Sequence, residues 1–278
     1  MTDTKTLRIG PLFFHVPASW NAMSLPQLRF LAQLLDRERT SFEVCTMMLL
    51  HFIGGRLVFQ PDIEEGFSVI ELKGRRYAVT ADQLSDMAEC FAFLFDSIYK
   101  GEPAIAPGLT MNPFPTISEG GCVLKGPADG MLEIPFGRYV WLQTYLSGVK
   151  DDSDNLNLAL ACLWHSADTG TEPIDDDVAV IRSLPSWQRL VMFWFVSGCI
   201  SRIHRLFPRV FSGGGSAAGG NVLDQQLRLL DSLANSDMTK KEQVRQGKLV
   251  DALYVIDESL RRKEEREREM ERQKLKTR

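Results

Sequence analysis

The sequence lacks the residue groupings on which most enzymatic chemistry depends. It has only four histidines, and no two of them stand at a spacing typical of metal ligands. It contains no H-E-x-x-H motif, no P-loop and no G-x-S-x-G turn. Since no residue cluster specifies a reaction, we expect a protein that is not an enzyme and has no cofactor or metal site.

Cysteine is scarce and scattered. The five cysteines are odd in number and form no C-x-x-C pair, and they stand at positions 45, 90, 122, 162 and 199. Free thiols in apolar surroundings pack as small hydrophobic groups. Such cysteines, with an N-terminal segment that has no signal-peptide core, are typical of a reducing compartment, so we expect a cytoplasmic protein.

Long hydrophobic runs are also missing. The most apolar stretch is the run from Leu190 to Ile200, eleven residues flanked closely by arginines. As a helix it would span about 16 Å, far short of the roughly 30 Å hydrocarbon core of a bilayer. We therefore expect a buried core helix here and no contact with a membrane.

The charge is mildly acidic and unevenly distributed. A net charge of -4 argues against a general nucleic-acid binder. Residues 260–278 nevertheless carry nine Lys/Arg and five Glu, whereas residues 151–180 carry eight carboxylates and no Lys or Arg. The basic tail, and a smaller group formed by Arg202, His204, Arg205 and Arg209, keep a nucleic-acid adaptor as an alternative. Within the acidic segment, Asp175 to Asp177 favour a helix start over a cation site.

A glycine-rich segment divides the sequence near its C-terminal end. Residues 212–221 contain five glycines and no large side chain, which predicts a flexible linker. Before it we expect an α+β lobe with a hairpin (1–100), a Pro/Gly-rich connector (101–135) and a helical lobe (136–211). After it we expect a charged helical arm (222–278). The fold class is therefore mainly α with a small β-hairpin region.

Local signals place individual elements within these regions. A polar N-cap residue followed three positions later by Glu or Gln predicts the start of a helix. The chain has four such capping boxes, at Ser24/Gln27, Thr40/Glu43, Thr80/Gln83 and Thr239/Glu242. A strand is predicted at 56–60, a hairpin around Lys73-Gly74, and a helix from Thr80 to Gly101.

The helical arm carries a short apolar stripe. Leu249, Leu253, Ile256 and Leu260 follow one another at spacings of 4, 3 and 4, which is the pattern of a heptad seam. We expect these residues to bind a partner helix or a second copy of the chain. The alternative is that the stripe docks on the body of the same chain. Beyond Leu260 the pattern predicts a charged helix with almost no apolar face.

Several longer phrases resemble a known group of proteins. They are Pro17-Ala-Ser-Trp-Asn-Ala-Met-Ser-Leu-Pro-Gln-Leu, Phe136-Gly-Arg-Tyr with Leu160-Ala-Cys-Leu-Trp, and Ala234-Asn-Ser-Asp-Met-Thr-Lys-Lys-Glu-Gln-Val. Together they resemble prophage tail-module proteins of Bacteroidetes and the tail assembly chaperones of long-tailed phages. The strand region 56–79 and the segment 101–135 depart from simple chaperones.

The resemblance implies a mostly helical, non-enzymatic protein of the host bacterial cytoplasm. It would bind the helical tape measure protein and keep it soluble until the tail tube assembles on it. A minor virion component or an assembly scaffold is the alternative within the same group of proteins.

Overall fold

The computed structural model describes residues 3–35, 37, 39–59, 67–96, 104–166, 170–211, 230–231, 233–234 and 237–276. The chain divides into two compact units, residues 1–110 and 111–278. The described residues form mostly helices, with three small antiparallel sheets, so the expected fold class is confirmed. The predicted linker 212–221 lies outside the described residues.

The first unit combines a hairpin, a three-stranded sheet and three α-helices. Its strands are β1 (Thr4–Ile9), β2 (Leu12–Pro17), β3 (Gly55–Phe59), β4 (Phe67–Leu72) and β5 (Arg75–Thr80). Its helices are α1 (Leu25–Leu35), α2 (Ser41–Ile53) and α3 (Ala81–Ala88), with 3₁₀ turns at Trp20–Ala22 and Glu89–Leu94. The strand orders are β1-β2 and β3-β4-β5, with antiparallel pairing throughout.

The predicted capping boxes of α2 and α3 are confirmed. At α2 the Thr40 side chain accepts from the Glu43 amide, and the Glu43 carboxylate accepts from the Thr40 amide. Gly54 ends this helix with a φ of +64°, a left-handed conformation that glycine adopts at low cost. The hairpin turn is also confirmed, because Lys73 and Gly74 both have positive φ between β4 and β5.

The helix predicted from Thr80 to Gly101 is wrong in its length. The α-helix ends at Ala88, and a 3₁₀ turn follows to Leu94. Phe95 then pairs with Ile105, and the Ala106 amide donates to the Leu94 carbonyl at 2.9 Å. Backbone groups that a longer helix would use are thus taken by a bridge to residues distant in sequence.

The second unit contains a hairpin and seven helices among the described residues. The hairpin is formed by β6 (Thr116–Glu119) and β7 (Cys122–Lys125). The helices are α4 (Phe136–Ser147), α5 (Asp154–Ala161), α6 (Asp175–Ser183), α7 (Ser186–Leu206), α8 (Pro208–Phe211), α9 (Met238–Gln246) and α10 (Leu249–Lys276). The core helix expected around Leu190–Ile200 is therefore confirmed as part of α7.

Within the Pro/Gly-rich connector expected at 101–135, residues 116–125 form a hairpin that the sequence pattern did not predict. Gly120 and Gly121, both with positive φ, turn the chain between β6 and β7. The hairpin is then joined to the body, because the amides of Lys125 and His165 each donate to the other residue's carbonyl. Short strands next to many prolines gave too weak a local pattern to be recognised in the sequence.

A buried aromatic core holds the second unit together. Trp164 is fully buried, donates from its indole nitrogen to the Phe114 carbonyl at 2.7 Å, and meets Phe195 of α7 edge-on at 6.0 Å. The apolar run of α7 is buried as expected, through Val191, Phe195 and their neighbours. In the described part of the chain, no helix is long and apolar enough to cross a membrane.

Arg138 joins α4 to the segments that follow it. It is buried, and its two terminal nitrogens donate to the carbonyls of Cys162 at 3.2 Å and Gly170 at 3.1 Å. Its planar guanidinium can satisfy two separate carbonyls at fixed angles, which a lysine cannot. The phrases Phe136-Gly-Arg-Tyr and Leu160-Ala-Cys-Leu-Trp therefore meet in one packing arrangement.

The close approach of Thr171 to α4 yields a stability prediction. Alanine is favoured over glycine in a helix by about 1 kcal/mol, yet a Cβ at Gly137 would lie 2.7 Å from the Thr171 Cγ2 atom. We expect Gly137→Ala to lower the free energy of unfolding by roughly 1–3 kcal/mol, because overpacking outweighs propensity. Denaturant titration followed by tryptophan fluorescence measures this. The double variant with Thr171→Gly should recover part of the loss, and a stabilised single variant would contradict the packing.

Candidate protein-binding surface

Within residues 237–276, the helical arm has a break at Gly247 and Lys248 that the sequence pattern did not predict. The predicted capping box at Thr239 is wrong, since Asp237 is the N-cap and accepts from the Thr239 amide at 2.9 Å. The helix α9 then ends at Gln246, and Gly247 with Lys248 forms an extended step before α10. Residues 237–276 of the arm are therefore two helices with a corner between them.

This corner is built from backbone hydrogen bonds, which we call the cap bridge (residues 132–136 with 247–250). The Phe136 amide donates to the Gly247 carbonyl at 2.7 Å. In return, the amides of Leu249 and Val250 donate to the carbonyls of Ile134 and Leu132 at 2.8 and 3.1 Å. Helices α4 and α10 each begin with amides that lack a partner in their own helix. The cap bridge satisfies amides of both helices at once, and an ion pair between Lys248 and Glu133 lies beside it.

The apolar stripe of the arm divides between buried and accessible residues. Leu249 and Leu253 are buried, whereas Ile256 and Leu260 remain partly exposed. For the first two residues, the structure thus follows the alternative in which the stripe docks on the same chain. Partner binding through the stripe stays a prediction, and Ile256 and Leu260 are its accessible members.

The short helix α8 forms ion pairs with the middle of α10. Arg209 of α8 approaches Asp257 at 3.2 Å and Glu264 at 3.8 Å. His204, from the same predicted basic group, stacks on Phe211 at 4.0 Å, and burial lowers the pKa of its imidazole. Two members of that group therefore have structural contacts within the second unit.

After Leu260, α10 continues as an exposed helix, which we call the arm tip (residues 261–276). The side chains of residues 261–275 are all exposed. Ion pairs between successive turns support the helix at this end, including Arg261 with Glu258 and Glu265 at 2.7 Å each. Hydrogen bonds from Arg261, and the nearby Arg262, lower the pKa of Glu258 to about 2.

The outward side of α10 carries exposed residues that the 4-3-4 stripe did not predict. Tyr254 and Val255 are 65% and 55% exposed, and with Glu258, Arg262 and Arg266 they line a shallow surface hollow. We call these five residues the outer face. An exposed tyrosine with charged neighbours is typical of interface anchors. The signal for this face in the sequence was a pair of bulky residues, Tyr254 and Val255, which directly follow Leu253 and do not belong to the 4-3-4 stripe.

The described residues do not assemble a metal-binding cluster. No group of three or more His, Cys, Asp or Glu within the described ranges is arranged to hold a metal ion. Of the Asp175–Asp177 run, two residues are exposed at the start of α6, while Asp177 is buried and accepts from the Ser166 amide at 3.2 Å. The run therefore contributes one carboxylate to the packing of the unit.

No family model, curated protein or solved structure matches this chain. Its function therefore has to be inferred from its own residues and contacts. Among the described residues, the arm combines the longest helix with an accessible apolar anchor and a dense set of charges.

The buried thiols yield a reactivity prediction. Desolvation raises the pKa of Cys45, Cys162 and Cys199 to about 12, so these groups stay protonated near pH 8. Because the thiolate is the nucleophile, we expect these three residues to resist dithionitrobenzoate at pH 8 until the protein unfolds. Mass spectrometry of the labelled native and denatured protein locates the modified residues. Rapid native labelling of any of the three would contradict the burial.

The ion pairs of Glu258 yield a pH prediction. Its folded pKa of about 2 lies below the ordinary glutamate value of about 4.3, so its stabilising effect is present above that value. The effect is lost as the pH falls from about 4.3 through about 2. We expect Glu258→Gln to speed amide exchange of residues 255–265 at pH 7, with no difference from wild type below pH 2. Glu269→Gln is the control, since Glu269 forms no ion pair among the described residues, and an equal effect would contradict the assignment.

Proposed function

We propose that this protein is a non-enzymatic tail assembly protein that binds a helical partner through α10. The observation that carries the proposal is the exposed arm tip, which the cap bridge and Arg209 hold in a fixed direction. Following the resemblance, the client would be a tape-measure-like tail protein, bound as a chaperone binds it. The expected place of action is the cytoplasm of the host bacterial cell.

The arm has the physical properties that binding a helix requires. Its helix is formed before the partner arrives, so less conformational entropy is lost on association. Tyr254 and Val255 offer apolar area, and the alternating charges beyond them can fix the register of a partner by complementary pairing. Ile256 and Leu260 extend the apolar area along the adjacent side.

Two alternative functions could use the same surface of α10. A minor virion component or an assembly scaffold would use the arm to bind another copy or a tail subunit. A nucleic-acid adaptor would use the basic tail, but glutamates of the same helix already pair with Arg261, Arg262, Lys263 and Arg268. These pairs lower the free positive charge that phosphate binding needs, so we favour a protein partner.

A capture experiment with matched variants tests the proposal. Tagged full-length protein, a truncation after Leu260, and a Tyr254→Ser/Val255→Ser variant are expressed in the native host during prophage induction. We expect a long helical tail protein to be captured by the full-length chain and at least about tenfold less by either variant, because the truncation removes the charged arm tip and the double substitution removes the apolar anchor. Bound proteins are identified by quantitative mass spectrometry.

The control is Phe13→Ser, since Phe13 is 65% exposed like Tyr254 but belongs to the first unit. It should capture the client as the unaltered chain does. Equal capture by all variants would contradict the role of α10. Presence of the protein in purified particles would favour the virion component, and salt-sensitive retention of DNA would favour the adaptor.

A further inference from the structure

A cleft in the first unit has the size and lining of a small-molecule site. It lies along α2, where this helix faces α1, β3 and α3, and has a volume of about 820 Å³. Small-molecule sites in proteins enclose roughly 300–1,000 Å³ and are mainly apolar with a few polar groups. The apolar lining consists of Phe30, Phe42, Met47, Leu50, Leu57 and Leu84.

The apolar side chains that line the cleft are accessible to a ligand. Phe42 is exposed, and Met47, Leu50 and Leu57 are partly exposed, so their side chains are not consumed by the core. The ring of Phe30 stacks on His51 at 4.0 Å, which fixes one side of the cleft. A flexible methionine beside rigid rings can adapt to apolar ligands of differing shape.

A buried hydroxyl without a partner lines the same cleft. Thr46 exposes only 9% of its surface, and its Oγ1 atom forms no hydrogen bond with any described residue. Buried polar atoms in folded proteins are nearly always paired, so each exception calls for an explanation. A ligand that places an oxygen at this point would complete the hydrogen bonding of Thr46.

A guanidinium also belongs to the lining of the cleft. Arg39 lies there, and its Nη1 atom contacts the sulfur of Met47 in the same lining. Among the described residues, no carboxylate lies within ion-pair distance of Arg39. The other charged side chains of the lining have partners, since Arg56 pairs with Glu71, and the Glu43 carboxylate accepts from Thr40 and interacts electrostatically with Arg39 from beyond ion-pair distance. A bound anionic group could receive hydrogen bonds from the guanidinium of Arg39 and from the hydroxyl of Thr46.

We propose that this cleft binds a small amphipathic carboxylate. The apolar chain lies along Phe42, Leu50 and Leu57, and the carboxylate meets the hydroxyl of Thr46 and the guanidinium of Arg39. This site belongs to the first unit and does not depend on the function proposed for α10.

Calorimetric titration of the full-length protein with decanoate, below its micelle concentration, tests the proposal. Decanol is the neutral ligand of matched chain length. We expect 1:1 binding of decanoate and binding of decanol at least about tenfold weaker, since a hydrogen bond to a charged group contributes at least that factor. No binding of decanoate at millimolar concentration, or equal affinity for both ligands, would overturn the proposal.

Substitutions at Arg39 and Thr46 test whether the unpaired hydroxyl marks a ligand site or only imperfect packing. Arg39→Gln should weaken decanoate binding about tenfold, while Arg76→Gln, on β5 and outside the cleft, should leave it unchanged. Thr46→Val should weaken binding severalfold yet raise the melting temperature of the free protein, because an unpaired hydroxyl is replaced by an isosteric apolar group. Thr46→Ser should retain binding. A lower melting temperature for Thr46→Val with unchanged affinity would overturn the assignment.

Discussion

The direction of the C-terminal arm depends on one set of backbone hydrogen bonds. Residues 132–136 and 247–250 exchange amides and carbonyls, so that α4 and α10 cap each other at their first turns. Each helix would otherwise begin with unpaired amides in a partly buried place, at a cost of about 1–3 kcal/mol for each buried group. The same bonds start α10 where Leu249 and Leu253 enter the core. Everything proposed for the outer face and the arm tip follows from that starting point.

Several of the residues that suggested a family resemblance are residues of packing. Gly137 allows Thr171 to approach α4, Arg138 ties α4 to the carbonyls of Cys162 and Gly170, and Trp164 reaches back to Phe114. Such contacts can preserve a fold while leaving its surface free to change. The function proposed here therefore rests on α10, and the separate ligand site on the cleft along α2; both use other residues.

Local chemistry explains which predictions were correct. The boxes at Thr40 and Thr80 are hydrogen-bond patterns closed within four residues, and the turn at Lys73-Gly74 is equally local, so the sequence alone predicts them. Thr239 had the same pattern, but Asp237 lies two residues earlier, accepts from the amide and hydroxyl of Thr239, and starts the helix there. The hairpin at 116–125 was missed because its strands are stabilised by residues far along the chain, as the bridge to His165 shows.

The sequence by itself determined the mainly helical class, the starts of α2 and α3 and the division of charge between the acidic body and the basic tail. Only the tertiary structure decided which side of α10 is buried, because a 4-3-4 stripe fits a partner helix and the chain's own core equally well. It also decided that Tyr254 faces outward and that Thr46 lines a cleft without a partner. Burial and hydrogen-bond satisfaction are properties of atoms brought together by folding, and no window of neighbouring residues contains them.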